Sequence, residues 1–428
     1  MAARNPMTMN PVFSRLIAAF ALASAGALAG FAAEVSLDEN FRPALPTIPD
    51  RTFTLTDFGA VGDGSTLNTE AFKKAIARID GAGGGKLIVP KGVFRTLSFA
   101  LCSNLDLNLA EGAVIQSPDN FGAFGLPDPS SLHSQKEVTD KLRWPQPLIT
   151  GNHLHDVAIT GPGVIDGNGA IWWAWSERAA RAHPGRLVYH RSHLVVINGC
   201  QRLHIADITL TNSPMFHLVP RDITDLTIER VKVRAPFNAP NTDAIDPGPI
   251  TNALIRGCDL DTGDDDIAVK SGCTNLLIEN CTIGHGHGIS IGSSTVVGVH
   301  NMLVRHCTFT GTDNGIRIKS MRGAGGPVDH VCYSDLRMTD VTNAIVFQLD
   351  YVDDNRPDFK GDPGKVPSIR DILIERVVIK NSKNAGKIIG LPDSPITRII
   401  FRDVQLNATH DFRIVDADHI TFENVSGH

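Results

Sequence analysis

Leu226-Thr227-Ile228-Glu229-Arg230-Val231, Ala253-Leu254-Ile255-Arg256-Gly257-Cys258 and Leu276-Leu277-Ile278-Glu279-Asn280-Cys281 are copies of one six-residue pattern. The first, third and sixth positions are apolar. Further copies begin at Leu203, Met302, Val331, Ile372, Ile399 and Ile420, and their sixth residues are Ile208, Cys307, Leu336, Val377, Val404 and Val425. Successive copies start 23, 27, 23, 26, 29, 41, 27 and 21 residues apart. Alternating apolar residues make a strand with one buried face. Gly, Asn and Asp punctuate the spaces between copies. Leucine-rich repeats have shorter intervals and a fixed Asn, and propeller blades have longer ones with regular hairpins. A coil with about three short strands per turn fits better. The expected fold is all-β: a right-handed, single-stranded parallel β-helix with a short N-terminal helix. Cys258, Cys281 and Cys307 share one repeat position, so they should form a buried ladder spaced about 4.8 Å apart. The interval of 41 holds the polar, Pro-rich stretch 350–367, which reads as a loop inserted on one wall.

The 428 residues are 42% hydrophobic, 20% charged and only 6% aromatic, with 39 Gly. That balance suits a turn-rich, strand-rich protein. Arg4 and Arg15, the apolar run Leu16–Ala29 and small residues at Gly30 and Ala32 predict a signal peptide over 1–32, too short for a comfortable membrane span. The alternative is an uncleaved anchor. Cleavage would remove two of 40 basic residues and none of the 46 acidic ones, leaving the chain more negative than −6. Such a protein is expected to be secreted or periplasmic, with no membrane partner after processing, and monomeric. Its charge argues against nucleic acid but permits an acidic polymer held by a local basic patch. The seven Cys include no CxxC, so no metal site is expected. Export permits disulfides, and the odd count leaves at least one thiol unpaired.

Residues 33–52 read as an extended, Pro-rich lead-in, and 53–428 as one catalytic β-helix domain. Thr66–Ile79 predicts an amphipathic helix, with Ala71, Phe72, Ala75, Ile76 and Ile79 on its apolar face. The glycines of 81–85 lack phosphate-loop spacing, and Leu87 stands where Ser or Thr is needed. They read as a turn before a strand at Lys86–Val89.

The chemistry-bearing residues cluster in Asn241-Thr242-Asp243, Gly263-Asp264-Asp265-Asp266, Gly286-His287-Gly288 and Arg317-Ile318-Lys319. Asp243 to Asp264 is 21 residues and Asp265 to His287 is 22, each about one turn of the coil. Asp243 should then sit one rung from Asp264. Asp264 and Asp265 can both face outward only if the chain bends at Gly263. Crowded carboxylates should raise at least one pKa. A protonated acid beside an ionised carboxylate equips a site for glycosidic hydrolysis. Arg317 and Lys319 share a strand face, with Ile318 buried behind. An exposed basic pair of this kind suits an anionic sugar, hence a uronic acid. Each residue alone has a plainer reading: an Asp at a corner caps a turn, stacked Asp binds calcium, Arg-x-Lys is solvated surface, and His285 or His287 is structural. Their recurrence on successive turns favours chemistry.

In this order and spacing the motifs resemble the four signatures of the polygalacturonases, family 28 of the glycoside hydrolases. Supporting segments are Gly161–Gly167 with Trp172-Trp173, Asn212-Ser213-Pro214 with Phe216-His217, and Asp57–Phe72. The resemblance spans roughly 53–425. It implies cleavage of α-1,4 links of polygalacturonan (pectin) with inversion and without a cofactor. Asp264 would be the acid, Asp243 and Asp265 would hold and activate water, and His287 would support the acid. Arg317, Lys319, Tyr351 and Asn241 would bind substrate. Asp266 departs from the pattern, since many members carry Cys or Asn there, and a buried charge needs a partner. The intact Arg-Ile-Lys favours galacturonan over rhamnogalacturonan. A calcium-dependent pectate lyase or a non-catalytic carbohydrate-binding coil remains the alternative. Insertions at 121–148 and 350–367, which could close one end of a groove, tilt the expectation toward exo cleavage over endo.

Overall fold

The computed structural model describes residues 37, 40–128, 145–182, 191–352, 361–362 and 364–427. The predicted signal peptide and much of both insertions lie outside these residues. By internal contacts the chain forms two compact units, one of residues 40–269 with 281–287, the other chiefly of 270–280 with 288–428.

The first unit coils through parallel strands. Gly85–Val89, Leu105–Leu109, Ile149–Thr160, Val195–Ala206, Leu218–Glu229 and Ile250–Arg256 each pair with the next. A second strip runs through Ala113–Gln116, Val164–Asp166, Thr209–Thr211, Lys232–Arg234, Asp259–Asp261 and Thr282–Ile283. In the second unit Cys273–Glu279, Val299–Arg305, Pro327–Ser334, Ser368–Glu375, Ile396–Arg402 and Ala417–Glu423 do the same. The repeat register is the expected one: Leu203 pairs with Leu226 and Leu226 with Ala253. Val331 pairs with Ile372, so the insertion leaves the coil in step.

Each repeat strand is bracketed by left-handed residues. The residue before each copy (Arg202, Asp225, Asn252, Asn275, Asn301, His330, Asp371, Arg398, His419) has φ between 51° and 64°. The fifth residue of each copy (Asp207, Arg230, Gly257, Asn280, His306, Asp335, Arg376, Asp403, Asn424) has φ between 52° and 67°. A single left-handed residue turns the chain sharply, which is why Asn, Asp and Gly punctuate the sequence. Where Arg stands there, a carboxylate from a neighbouring turn holds it: Arg202 to Asp156 at 2.7 and 2.6 Å, Arg398 to Asp371 at 2.5 and 2.8 Å. These bidentate bonds offset the backbone cost.

The N-terminal helix covers Thr69–Asp80 and buries the expected Ala71, Phe72, Ala75, Ile76 and Ile79. It starts later than predicted because Thr66 and Leu67 belong to strand Asp63–Leu67. Asn68 fixes the boundary, accepting from Val61 N–H at 2.7 Å and donating to Val61 O at 3.0 Å and Thr66 O at 2.8 Å. The following strand is Gly85–Val89. All seven Cys are free thiols. Cys258, Cys281 and Cys307 are buried as expected, at 1% exposure or less.

Candidate active site

The acidic residues stand in bends between strands of the first unit. Thr242, fully buried, ties two of these bends together: its hydroxyl donates to Ala239 O at 2.8 Å and accepts from Gly263 N–H at 3.0 Å. Gly263 is required by close approach. A Cβ there would lie 2.3 Å from Ala239 O and 2.9 Å from the carbonyls of Pro236 and Phe237. The chain does bend at Gly263, between strands Asp259–Asp261 and Ile267–Val269.

Asp243 does sit one rung from Asp264, and the bend refines the register. Ile245 bridges to Ile267, and Ala244 N–H donates to Asp265 O at 2.9 Å. Asp243 is therefore in register with Asp265, not Asp264. Asp243 and Asp265 are buried, at 3% and 1% exposure, whereas the Asp264 side chain keeps 21%. Backbone hydrogen bonding between turns sets this register, and it runs one residue off the 21-residue count.

Asp264 is held on both oxygens. Oδ1 accepts from Asp265 N–H at 2.9 Å and lies 3.0 Å from His287 Nδ1. Oδ2 accepts from Asn241 Nδ2 at 3.3 Å. His287 Nδ1 is 4.0 Å from Asp265 Oδ1, and its backbone N–H donates to Asp264 O at 2.8 Å. Two groups face Oδ1 and one faces Oδ2, so Oδ2 is the less crowded place for an Asp264 proton, and a protonated oxygen can still accept from the Asn241 amide through its remaining lone pair. Asp264, Asp265 and His287 offer ligand atoms within 4.8 Å of one another, a set that could hold a cation. A metal on Nδ1 would replace the proton that bonds Asp264. Asp266 is fully buried, with Oδ2 beneath Gly286, where a Cβ would lie 2.7 Å from it. His285 belongs elsewhere, 3.2 Å from Asp261 Oδ1 and beside the Phe237 ring.

Two residues with no role assigned from the sequence support these bends. Arg191 is 5% exposed and donates to Pro214 O at 2.9 Å, Pro240 O at 2.5 Å and Asn241 Oδ1 at 2.6 Å. Burial lowers its pKa to about 10, opposed by the charges of Asp243 and Asp264. It stands alone in a loop without a motif, so no sequence signal marks it. His217 is fully buried. Its Nε2 accepts from Ser213 N–H at 3.2 Å, and Nδ1 therefore donates to Asp243 O at 3.0 Å. Burial pushes its pKa down to about 4. The Ser213–His217 segment was legible only as a motif.

In the second unit, strand Asn314–Lys319 buries Ile316 and Ile318 fully, and Arg317 is half-buried. Arg317 Nε donates to Ser290 Oγ at 2.9 Å. Lys319 is not exposed as expected: it retains 7%, and its Nζ sits 5.5 Å from the centre of the Tyr351 ring. That contact brings two of the four expected substrate residues together.

A model of the glycosyl hydrolases family 28 matches residues 129–425. The chain belongs to this family. This family 28 chain is 32% identical to a probable polygalacturonase of Vitis vinifera, over 83% of the chain and 74% of that protein. It is 31% identical to an endo-polygalacturonase of Pectobacterium parmentieri, over 85% and 90%. Among solved structures it resembles the polygalacturonase from Erwinia carotovora ssp. carotovora (TM-score 0.74, 28% identity, 89% of this chain and 98% of that one). The exopolygalacturonase from Thermotoga maritima is similarly close (TM-score 0.73, 26% identity, 89% and 94%). The fold class is the expected all-β, right-handed parallel β-helix.

Proposed function

We propose that this glycoside hydrolase is a polygalacturonase that cleaves α-1,4 links between galacturonic acid residues. The observation that carries the reading is Asp264, a partly exposed carboxyl held by His287 and Asn241, on the bends that bury Asp243 and Asp265. Asp264 donates its Oδ2 proton to the glycosidic oxygen as the C–O bond breaks and the electron pair leaves with that oxygen. A water held by Asp243 and Asp265 attacks C1 from the opposite face and gives up its proton to them.

The nearest oxygens of Asp264 and Asp265 lie within 4.8 Å, below the roughly 6.5–9.5 Å between carboxyls of inverting enzymes. That spacing by itself does not select inversion. Inversion rests instead on the resemblance of the four motifs, which assigns Asp243 and Asp265 to the water. Arg317 and Lys319, with Tyr351, bind the substrate carboxylate, a role supported by the intact motif and by the Lys319–Tyr351 contact. Residues 53–428 form the catalytic domain. The leader of 1–32 directs export, and no described helix is long and apolar enough to cross a membrane. Similarity to both an endo- and an exo-acting relative leaves the exo lean resting on the insertions.

Incubation with polygalacturonate tests the reading. New reducing ends, formed in chelator without unsaturated-uronate absorbance, are expected, and Asp264→Asn should abolish them while the protein stays folded. Unsaturated ends that disappear with chelator would establish a lyase instead. A folded wild type with no turnover would favour a binding coil.

A further inference from the structure

Asn241 touches the acid, and an amide can present either its oxygen or its nitrogen. A nitrogen turned toward Asp264 donates and leaves the acid's proton free for the substrate, whereas the amide oxygen would accept that proton. Arg191 removes the choice. A guanidinium has donors and no acceptor, so the atom of Asn241 facing it, 2.6 Å away, is Oδ1. Nδ2 then faces Asp264 Oδ2. The same guanidinium donates to Pro214 O and Pro240 O, the latter one residue before Asn241. It therefore holds both the backbone entering Asn241 and the side chain itself. The planar fork of Arg suits this multiple grip, which a point charge does not reproduce.

We propose that Arg191 is a positioning residue for the acid: acting through Asn241, it fixes the amide that holds Asp264 Oδ2 in its reactive orientation. The inference rests on Asp264 being the proton donor. It adds a residue outside the four motifs, supplied by a separate segment of the first unit. Without Arg191 the Asn241 amide is free to turn, and Oδ2 loses its orienting donor. In this reading Asn241 serves the acid and not the sugar, whose carboxylate is held by Arg317, Lys319 and Tyr351, so the loss should fall on kcat and not on KM.

The experiment compares wild type, Arg191→Met, Arg191→Lys, Asn241→Ala and the double variant Arg191→Met/Asn241→Ala on polygalacturonate. A crystal structure of Arg191→Met completes it. Arg191→Met should lower kcat about 10- to 100-fold, the scale of small misplacements of reacting groups, with KM changed by less than about twofold. The double variant should be no slower than Asn241→Ala alone, because the two residues act in series. Arg191→Lys should fold and recover only part of kcat. In the crystal structure the Asn241 amide should have left Asp264. Multiplicative losses in the double variant, an unchanged kcat, or an amide still on Asp264 would each overturn the proposal. Loss of folded protein in both Arg191→Met and Arg191→Lys would also overturn it, assigning the residue to folding alone. A wild type without hydrolytic activity would refute the functional reading, while the amide orientation in the crystal would still decide the positioning.

Discussion

Acidification should weaken this protein through His217, by an amount the structure sets. His217 is fully buried, and its Nε2 accepts from Ser213 N–H, so the ring must be neutral. A proton on Nε2 would place two donors face to face without water. Burial holds the folded pKa near 4, against an ordinary 6.5. Between those values the unfolded chain binds a proton that the folded chain refuses. The contribution is complete above pH 6.5 and is lost as pH falls toward 4, by about 1.4 kcal/mol per pH unit. At pH 5 that amounts to about 2 kcal/mol. The assay is urea unfolding at pH 7 and pH 5 for wild type and His217→Gln. The variant loses a bond at both pH values, about 1–3 kcal/mol, but has no ring to protonate. Other groups, including His193, whose pKa burial also lowers to about 4, act in both proteins and cancel in the difference. Wild type should therefore lose about 2 kcal/mol more than His217→Gln between pH 7 and pH 5. Parallel losses would show that His217 is not held neutral, and the tautomer assigned beside Asp243 would fall with it.

Gly263→Ala would place a methyl 2.3 Å from Ala239 O. It should cost about 1–3 kcal/mol in stability and, by shifting the neighbouring Asp264, about 100-fold in kcat. Wild-type kcat and melting temperature in that variant would disprove the tight approach. Arg317→Lys gives up the bond from Nε to Ser290 Oγ and the planar fork. KM on polygalacturonate should rise about 10-fold or more with kcat little changed, and an unchanged KM would remove Arg317 from substrate binding. The anomer released at the earliest time points, read by NMR, should be inverted; retention would make one of the carboxylates a nucleophile.

Much of the molecule was legible in one dimension. The six-residue pattern located nine strands of the long sheet, because a buried face with a period of two is a local property, but not Leu105–Leu109 or Ile149–Thr160, which pair in the same sheet. The residues of its fifth position could be read as turn punctuation, although their common left-handed conformation appears only in the fold. The helix boundary was misplaced because Thr66 and Leu67 carry no local sign that Asp63–Leu67 pairs as a strand and that Asn68 stops it. The acids and His287 were legible as a set, since one turn of the coil consumes about the interval that separates them.

Spacing in sequence fixes which rung a residue occupies, but not which way a bend turns it. The sequence alone determined the coil, the family, the acidic set and the Arg-Ile-Lys strand. Only the tertiary structure decided that Asp243 lies in register with Asp265, both buried, and that Asp264 is the carboxyl turned outward. It likewise decided that Lys319 is covered, and that Arg191 and His217 brace the bends from behind. The physical reason is common to all of these. They depend on hydrogen bonds and close approaches between segments about 20 to 50 residues apart, and those distances exist only after the chain has coiled.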